Sequence, residues 1–370
     1  MLVNFKVFAP IFLFFSITVY STVASDRFKL LDFEVYYKAG QRIAQDINPY
    51  QQVIDGHFIY KYSPVFAAIM SPFGFLKLDV AKWFFLIIIF IIFYLTLITL
   101  INSFKLKSQA GMITIASVLI FSKHIHKELV LGQINVLILG LFVFSVYLFY
   151  SKKFYSAMLL ALSIFIKPIG LVLFPYLIFK RNIAWFYYFV LSIILLFLMS
   201  LFFVKIDLYF NWFIELQNEL LLKSDLYSVD SQNLIAFIQR VLHIDKPLNY
   251  LFGLFIWLVL QYYLQKNEPE KYPYLLISSL PLLVCTSNNF YILSLPVFIY
   301  LIGQFKNMTI TLKLLFILSG LLMSFNQYEL WGRKGVDTID YFTPYGLSVL
   351  IGYFVLIRNR INYKFSIIPV

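Results

Sequence analysis

The sequence predicts an all-α membrane protein with many transmembrane helices. Of its 370 residues, 61% are hydrophobic and only 13% are charged, whereas soluble domains are about half apolar and about a quarter charged. Apolar runs recur along the whole chain, and shorter polar segments separate them. A segment inside the hydrocarbon of a bilayer has to satisfy its own backbone hydrogen bonds, so we expect each run to form a helix.

The charge and the cysteine count narrow the class of protein further. The formal net charge is +12, but the basic residues lie between lipid-soluble segments and form no basic face, which argues against binding of nucleic acid. The single cysteine, Cys285, excludes an intrachain disulfide and a metal site built from several cysteines.

We predict about twelve crossings, several of them short. The first is 7–24; a signal peptide cleaved after Ala24 is the alternative. Residues 64–76 would reach only ~20 Å at ~1.5 Å per residue, and Pro72 and Gly74 interrupt them, so we interpret them as a helix half-buried at the outer surface. The other predicted crossings are 80–102, 110–122, 134–150, 154–166, 168–179, 183–204, 249–265, 274–285, 290–303, 309–326 and 342–357.

The distribution of Lys and Arg orients these crossings. With the N-terminus inside, the inner loops hold fourteen basic residues and two acids, Glu268 and Glu270, so they carry the whole net charge of +12. Cytoplasmic loops are enriched in Lys and Arg. We therefore expect a multi-pass protein of the cell membrane, with a bacterial inner membrane favoured. The predicted outer segments are 25–79, 123–133, Lys167, 205–248, 286–289 and 327–341.

Lys167-Pro168 marks the middle of an apolar stretch with basic residues at both ends. A straight span would place Lys167 at mid-membrane, where a charge is costly, and proline removes a helical hydrogen bond. A hairpin that lifts Lys167 to the outer surface fits better, and there its ammonium could neutralise a lipid-linked phosphate. The alternative is a lysine that reaches the outer headgroups without binding substrate.

The first outer segment carries the strongest candidate for chemistry. The pattern LDFEVYYKAGQRIA is helical, and it places Asp32 and Tyr36 on one face. A partly desolvated carboxylate near the lipid surface could act as a general base toward a sugar hydroxyl. The alternatives for Asp32 are a helix N-cap or a solvated acid.

Three further groups of polar residues accompany this carboxylate. The segment Tyr60-Lys61-Tyr62-Ser63-Pro64 either shapes a sugar pocket or anchors in headgroups. Gln133 and Asn135 follow Gly132 and could either bond substrate hydroxyls or cap a helix. The third group is His124, His126 and Glu128, which superficially suggests a metal site. Its two histidines do not have helical spacing, and no third histidine is close in the sequence.

In chain order, the motifs are Asp32-Phe33, Tyr36-Tyr37-Lys38-Ala39, Asn48-Pro49-Tyr50, Tyr60-x-Tyr62-Ser63-Pro64, Gly132-Gln133-x-Asn135 and Ile166-Lys167-Pro168. This ordered set resembles glycosyltransferase family 87, also called DUF2029, of the GT-C superfamily. The resemblance covers roughly residues 7–182. One departure is Ser287-Asn288-Asn289-Phe290-Tyr291, which stands where family members often carry a Ser-Trp-x-His-His segment. The role of a histidine there would be lost or taken by an asparagine, for which Asn289 is the candidate.

The resemblance implies a GT-C fold whose active site faces outward. Such enzymes move a sugar from a polyprenyl phosphate to an acceptor hydroxyl, usually with inversion. The sugar is a hexose, with mannose favoured, or a pentose. The family's catalytic aspartate falls on Asp32. The substrate-binding positions implied or expected beside it are Tyr36, Lys61, Tyr62, Gln133, Asn135, Lys167 and Asn289.

We therefore predict two modules. Residues 1–204 form a catalytic module, and residues 205–370 form a membrane module that contains the second outer segment, 205–248. Lys167, helped by Lys61 or Lys123, would stabilise the departing phosphate. We expect no metal and no cofactor. The partners are a lipid-linked donor, a glycan or glycolipid acceptor and membrane lipids. A lipid-sugar flippase, a polysaccharide exporter or a polymerase is the alternative, but transporters usually keep their polar residues at the midplane.

Overall fold

The computed structural model describes residues 2–50, 59–173, 183–222, 231–284, 288–325 and 328–366. The secondary structure of these residues is dominated by α-helices, which confirms the predicted all-α class. The predicted crossing 168–179 lies partly outside the described residues, as do Cys285 and Ser287.

The helices up to residue 200 contain the candidate site. They are α1 Leu2–Ala24, α2 Leu31–Ala44, α3 Pro64–Met70, α4 Leu78–Ser103, α5 Ala110–Ile120, α6 Ser122–Leu131, α7 Asn135–Leu148, α8 Lys153–Ile166 and α9 Ile183–Ser200. Short 3-10 helices follow α3 and α8, at Ser71–Phe75 and Pro168–Val172.

The remaining helices lie in the second half of the chain. They are α10 Asp207–Leu222, α11 Leu234–Val241, α12 Leu248–Asn267, α13 Tyr272–Val284, α14 Leu295–Gln304, α15 Ile310–Ser324, α16 Tyr328–Tyr341 and α17 Pro344–Ser366. A 3-10 helix, Asn288–Ser294, precedes α14.

Local sequence explains where several of these helices begin. Ser63 accepts a hydrogen bond from the backbone of Phe66 at 3.3 Å, and Pro64 occupies the first helical position of α3. Both are favoured there, because the first backbone N–H groups of a helix lack intrahelical partners. Thr309 caps α15 in the same way, through the backbone of Leu312 at 3.4 Å.

Three described helices are long and apolar enough to cross a membrane: Asn4–Ala24, Leu78–Ser103 and Ile183–Ser200. Their mean hydropathies are 1.9, 3.1 and 2.2, and most of their surface is not buried by the protein. Counting two bent helix pairs as one span each raises the number to five. The helices are thus those of a membrane protein, while the full set of twelve crossings stays a prediction.

Two segments differ from the prediction. Residues 123–133 were expected to form a loop, but most of them belong to α6, which is bent by 115° against α7. The sequence Lys-Glu-Leu-Val-Leu at its end is favourable for a helix. The predicted crossing 290–303 begins as the 3-10 helix, and the α-helix starts only at Leu295, where Pro296 is tolerated because it lies in the first turn.

The chain forms two compact units. The site unit consists of Phe12–Thr99 and His126–Ser224. The C-terminal unit consists of Met1–Ile11, Leu100–Ile125 and Asp225–Val370. Within the C-terminal unit, α5 packs against α14 and α15. The boundary that we predicted between a catalytic and a membrane module follows residue 204. The functional division at that boundary stays a prediction.

Each unit contains a reciprocal pair of serine hydrogen bonds between neighbouring helices. In the site unit, Ser145 donates to the carbonyl of Ser156 at 2.9 Å, and Ser156 donates back at 2.7 Å. In the C-terminal unit, Ser319 and Ser348 exchange the same bonds at 2.7 Å each. Small polar residues allow close approach of helices and join them where water is absent.

Candidate active site

The first turn of α2 holds Asp32 and places it on the same face as Tyr36. Leu30 occupies the N-cap position with φ 47° and makes no side-chain capping bond. The interpretation of Asp32 as the N-cap is therefore wrong, because Asp32 is already the second helical residue. An acid in the first turn is favoured by the helix dipole. Asp32 is half-buried, whereas Tyr36 is buried.

A glycine brings the next polar segment against the start of α2. Gly132 has φ +70°, and a Cβ added there would lie 2.7 Å from Cβ of Phe33 and 3.1 Å from Cβ of Leu30. Glycine is the residue that tolerates both this conformation and this approach. The next residue, Gln133, therefore lies beside Asp32, and their side chains are hydrogen-bonded.

Amide groups link this carboxylate to a cation. The side-chain amide of Asn135 donates to Oε1 of Gln133 at 2.9 Å, which leaves the amide nitrogen of Gln133 to donate to Asp32. On its other side, Oδ1 of Asn135 accepts from Nζ of Lys167 at 2.8 Å. Asp32, Gln133, Asn135 and Lys167 thus form one continuous polar chain, which we call the site chain.

Tyrosines form the wall next to the site chain. The hydroxyls of Tyr36 and Tyr62 are 3.1 Å apart, and their rings meet edge to face with centroids 5.0 Å apart. Nζ of Lys167 lies 5.9 Å from the centroid of the Tyr62 ring, within the range of a cation–π contact. Burial is the main reason why the pKa of the Tyr36 hydroxyl lies well above its usual value of 10.0, so this group stays a neutral hydrogen-bond donor.

The other tyrosines of the first outer segment support this wall from behind. Tyr50 donates to the carbonyl of Tyr62 at 2.7 Å, and Tyr60 donates to the carbonyl of Ser63 at 2.9 Å. Tyr60 is 0% exposed. Anchoring in lipid headgroups, which was the alternative for the segment 60–64, therefore does not describe Tyr60.

The electrostatics of Asp32 combine burial with compensating contacts. Burial raises the pKa of this carboxyl above its ordinary value of 3.8. The hydrogen bond from Gln133 and the positive charges of Lys167 and Lys61 oppose that rise. The raised pKa makes this carboxylate more basic than a solvated aspartate, which is the direction that a general base requires.

Glu128 is a member of the site that the sequence analysis did not assign to it. Its side chain is 1% exposed. It accepts from the amide of Asn135 at 2.6 Å and from the backbone N–H of Val136 at 3.1 Å. It therefore caps the start of α7 and fixes the orientation of Asn135, whose oxygen then faces Lys167. Glu128 and Asn135 are seven residues apart in the sequence, and the sharp turn at Gly132 brings their side chains together.

The histidines of α6 point to different sides of the helix. His124 is 0% exposed, whereas His126 is exposed, as expected for residues two positions apart on a helix. Among the described residues, no group of three His, Cys, Asp or Glu side chains is placed to hold a metal ion. The expectation that the reaction needs no metal stays a prediction.

Two other predicted residues belong to the C-terminal unit. Lys123 is buried and donates to the hydroxyl of Tyr345. Asn289 is buried at the start of the 3-10 helix Asn288–Ser294. Their expected contribution to binding stays a prediction. The site unit itself brings together Asp32, Tyr36, Lys61, Tyr62, Gln133, Asn135 and Lys167.

Comparison with known proteins assigns the chain to a protein family. The model of glycosyltransferase family 87 matches residues 60–286, more than half of the chain. The chain belongs to glycosyltransferase family 87. The family match extends further into the second half of the chain than the resemblance over 7–182 suggested, and it begins after Asp32.

A curated relative agrees with the family 87 assignment. The chain is 28% identical over 149 residues to an alpha-(1->3)-arabinofuranosyltransferase of Corynebacterium glutamicum. The match covers 38% of this chain and 35% of the relative, so the chain spans about a third of that protein's length in the comparison. The predicted class of protein, a membrane glycosyltransferase, is confirmed at the level of the family.

In this family 87 chain, we expect Gly132→Ala to destabilise the site unit. The added methyl has to adopt φ +70° and meets Phe33, so strain of about 1–2 kcal/mol and overpacking of about 1–3 kcal/mol act together. Gly352→Ala is the control, because Gly352 lies inside α17 without a positive φ, and its added Cβ meets only ordinary contacts, 3.6 Å from Leu301 and 3.8 Å from Ser319. Chemical unfolding in detergent should show the larger loss for Gly132→Ala. Equal losses would contradict the role of close packing.

We also expect Glu128→Ala to lower the free energy of unfolding by about 1–3 kcal/mol, because it leaves buried donors of Asn135 and Val136 without their acceptor. Glu128→Gln keeps one acceptor oxygen and should lose less. Both variants should also transfer sugar more slowly, since the orientation of Asn135 depends on this residue. A stable Glu128→Ala protein would show that the contact is dispensable.

Proposed function

We propose that this chain is an integral-membrane glycosyltransferase that moves a sugar from a polyprenyl phosphate to a hydroxyl of a glycan or glycolipid acceptor, with inversion. The observation that carries the proposal is the site chain, in which a half-buried carboxylate and an ammonium group are held by the same pair of amides. A base for the attacking oxygen and a cation for the leaving phosphate are the two charges that such a transfer needs.

The proposed step is a direct displacement. The acceptor oxygen attacks the anomeric carbon, the bond from that carbon to the phosphate oxygen breaks, and Asp32 takes the proton of the acceptor hydroxyl. The electron pair of the broken bond leaves on polyprenyl phosphate, whose growing charge is stabilised by Lys167 with Lys61. Attack opposite the leaving group inverts the anomeric configuration.

The neighbouring side chains suit a sugar. Tyr36 and Tyr62 offer hydroxyls and ring faces, while Gln133 and Asn135 offer amides whose positions are fixed by their mutual hydrogen bond. We propose a hexose, with mannose favoured, or a pentose. The name of the curated relative supports the pentose, since that protein is an arabinofuranosyltransferase. The proposal uses no metal ion and no cofactor, because cationic side chains bind the phosphate.

The distribution of basic residues indicates which side of the membrane the candidate active site faces. The inner loops of the predicted topology carry the excess of Lys and Arg, whereas the segment with Asp32 does not. We propose that the site faces the extracytoplasmic side of a bacterial inner membrane, where a lipid-linked donor enters laterally from the outer leaflet.

The pH dependence of transfer should report on Asp32. The ionised carboxylate is the active form, so kcat/KM should fall as the pH drops through a pKa that lies above 3.8. Lys61→Gln should move this fall to higher pH, because it removes a charge that lowers the pKa of Asp32. Lys29→Gln, an exposed lysine three residues before Asp32, is the control and should leave the profile in place. An unchanged profile in Lys61→Gln would contradict the assignment.

A donor experiment tests the proposed function. Purified full-length protein is given radiolabelled polyprenyl-phosphomannose or polyprenyl-phosphoarabinose together with a glycan acceptor. A transferase moves the label to the acceptor and breaks the bond between sugar and phosphate. A flippase leaves that bond intact and only moves the donor across the bilayer of a liposome, and this result would overturn the proposal.

A further inference from the structure

The C-terminal unit contains a cavity that is lined mainly by polar residue types and shares no residue with the candidate active site. Its volume is ≈ 460 Å³. It lies where α14 ends, between α17 and the connection from α12 to α13. The residues that matter here are Glu268, Lys271, Tyr300, Gln304, Asn307 and Arg360.

A buried carboxylate organises the cations of this cavity. Glu268 is 4% exposed. Its Oε2 lies 3.3 Å from Nζ of Lys271 and accepts from the hydroxyl of Tyr300 at 3.4 Å, while Oε1 lies 3.4 Å from Nε of Arg360. Nζ of Lys271 also lies 5.0 Å from the ring centroid of Tyr300. Both oxygens of Glu268 thus form ion pairs, and the carboxylate keeps Lys271 and Arg360 together at the cavity.

These cations retain donors for an outside ligand. Glu268 engages Nε of Arg360, but a guanidinium carries five N–H donors, and the side chain is 39% exposed. The two cations and the single carboxylate leave a net charge of one positive unit at the cavity. The side-chain amides of Gln304 and Asn307 add neutral hydrogen-bond donors. Arginine beside neutral donors matches the oxygens of a phosphate.

The surroundings indicate a lipid as the source of that phosphate. Thr309 lines the cavity and caps α15. On α15 an exposed apolar stripe begins directly after it, with Ile310 71%, Leu314 60% and Leu321 51% exposed. A headgroup in the cavity would therefore leave its acyl chains along this stripe. In the predicted topology this end of the unit faces the cytoplasm, where basic pockets between helices bind anionic headgroups.

We propose that this cavity binds the phosphate of an anionic phospholipid from the inner leaflet. The contacts are charge-assisted hydrogen bonds from Arg360 and Lys271, with Glu268 and Tyr300 positioning the two cations. This inference does not depend on the proposed transfer reaction, because the cavity shares no residue with the candidate active site.

Lipid retention by the full-length protein tests the proposal. Native mass spectrometry in detergent would measure bound phosphatidylglycerol and, in a parallel sample, phosphatidylcholine. We expect a preference for phosphatidylglycerol, and we expect Arg360→Gln and Lys271→Gln each to weaken its binding about tenfold, which corresponds to about 1.4 kcal/mol. Arg358→Gln is the matched control, since Arg358 is an exposed cation on the same helix that does not line the cavity.

Three outcomes would overturn the proposal. Equal retention of the two lipids would exclude recognition of the anionic headgroup, and an equal loss in Arg358→Gln would show that only diffuse positive charge is sensed. Displacement of phosphatidylglycerol by an equal concentration of inorganic phosphate would show a site for a soluble ligand instead. Thermal unfolding of each variant checks folding; if Arg360→Gln fails to fold, Lys271→Gln and the comparison of the two lipids decide the question.

Discussion

Asp32→Asn should reduce kcat for sugar transfer by about 10²–10⁴-fold, the range that a positioned general base contributes. Asparagine has the same shape and can keep a hydrogen bond to Gln133, but it cannot accept the proton of the acceptor hydroxyl. Binding of the donor should change little, because Lys167 and the tyrosines remain. Transfer kinetics with a saturating lipid-linked donor would measure the effect.

The control for this variant is Glu34→Gln. Glu34 is a half-buried acid on α2, only two residues from Asp32 but on a different side of the helix. The Glu34→Gln protein should transfer sugar at the wild-type rate. If both variants lose activity equally, the loss reflects the charge of α2 and does not identify a base.

Lys167→Met should reduce kcat by about 10²–10³-fold, the effect of losing one preorganised group that stabilises developing charge. The ammonium lies 2.8 Å from Oδ1 of Asn135, so its position is fixed before substrate arrives. Methionine retains the length of the side chain but not the charge, and the leaving phosphate would then lack this cation. The readout is the rate of polyprenyl phosphate release.

Two further variants separate charge from structure at this position. Lys167→Arg keeps the charge and should restore part of the rate. Lys152→Met removes an exposed lysine just before the other end of α8 and should have no effect. Wild-type release by Lys167→Met would contradict the proposed role in stabilising the leaving group.

The sequence predicted the long helices well because a long apolar run in a bilayer has to satisfy its own backbone hydrogen bonds, which a helix does. The predicted crossing 80–102 is the helix Leu78–Ser103, and 154–166 is Lys153–Ile166. The helix α6 was missed because its residues are polar enough for a loop, and its helical form depends on packing of the face that includes His124. The number of crossings depends on how bent and short helices lie in the bilayer, which hydropathy alone does not determine.

The candidate site was predictable as a set of residues but not as a network. Ordered motifs named Asp32, Gln133, Asn135 and Lys167, which are far apart in sequence, and the structure joins them by hydrogen bonds. Glu128 was considered only as a metal ligand. Its actual partners, Asn135 and the backbone of Val136, depend on the left-handed turn at Gly132, and a glycine alone does not reveal such a turn.

The most direct test of the account follows both products of one reaction in wild-type protein and in Asp32→Asn. Labelled polyprenyl-phosphate sugar and acceptor are mixed with purified protein, and glycosylated acceptor and free polyprenyl phosphate are quantified over time. Wild-type protein should form them in equal amounts, with the anomeric configuration inverted, while Asp32→Asn binds the donor and forms neither. Equal product formation by the two proteins, or retention of configuration, would contradict the assignment of Asp32 as the base.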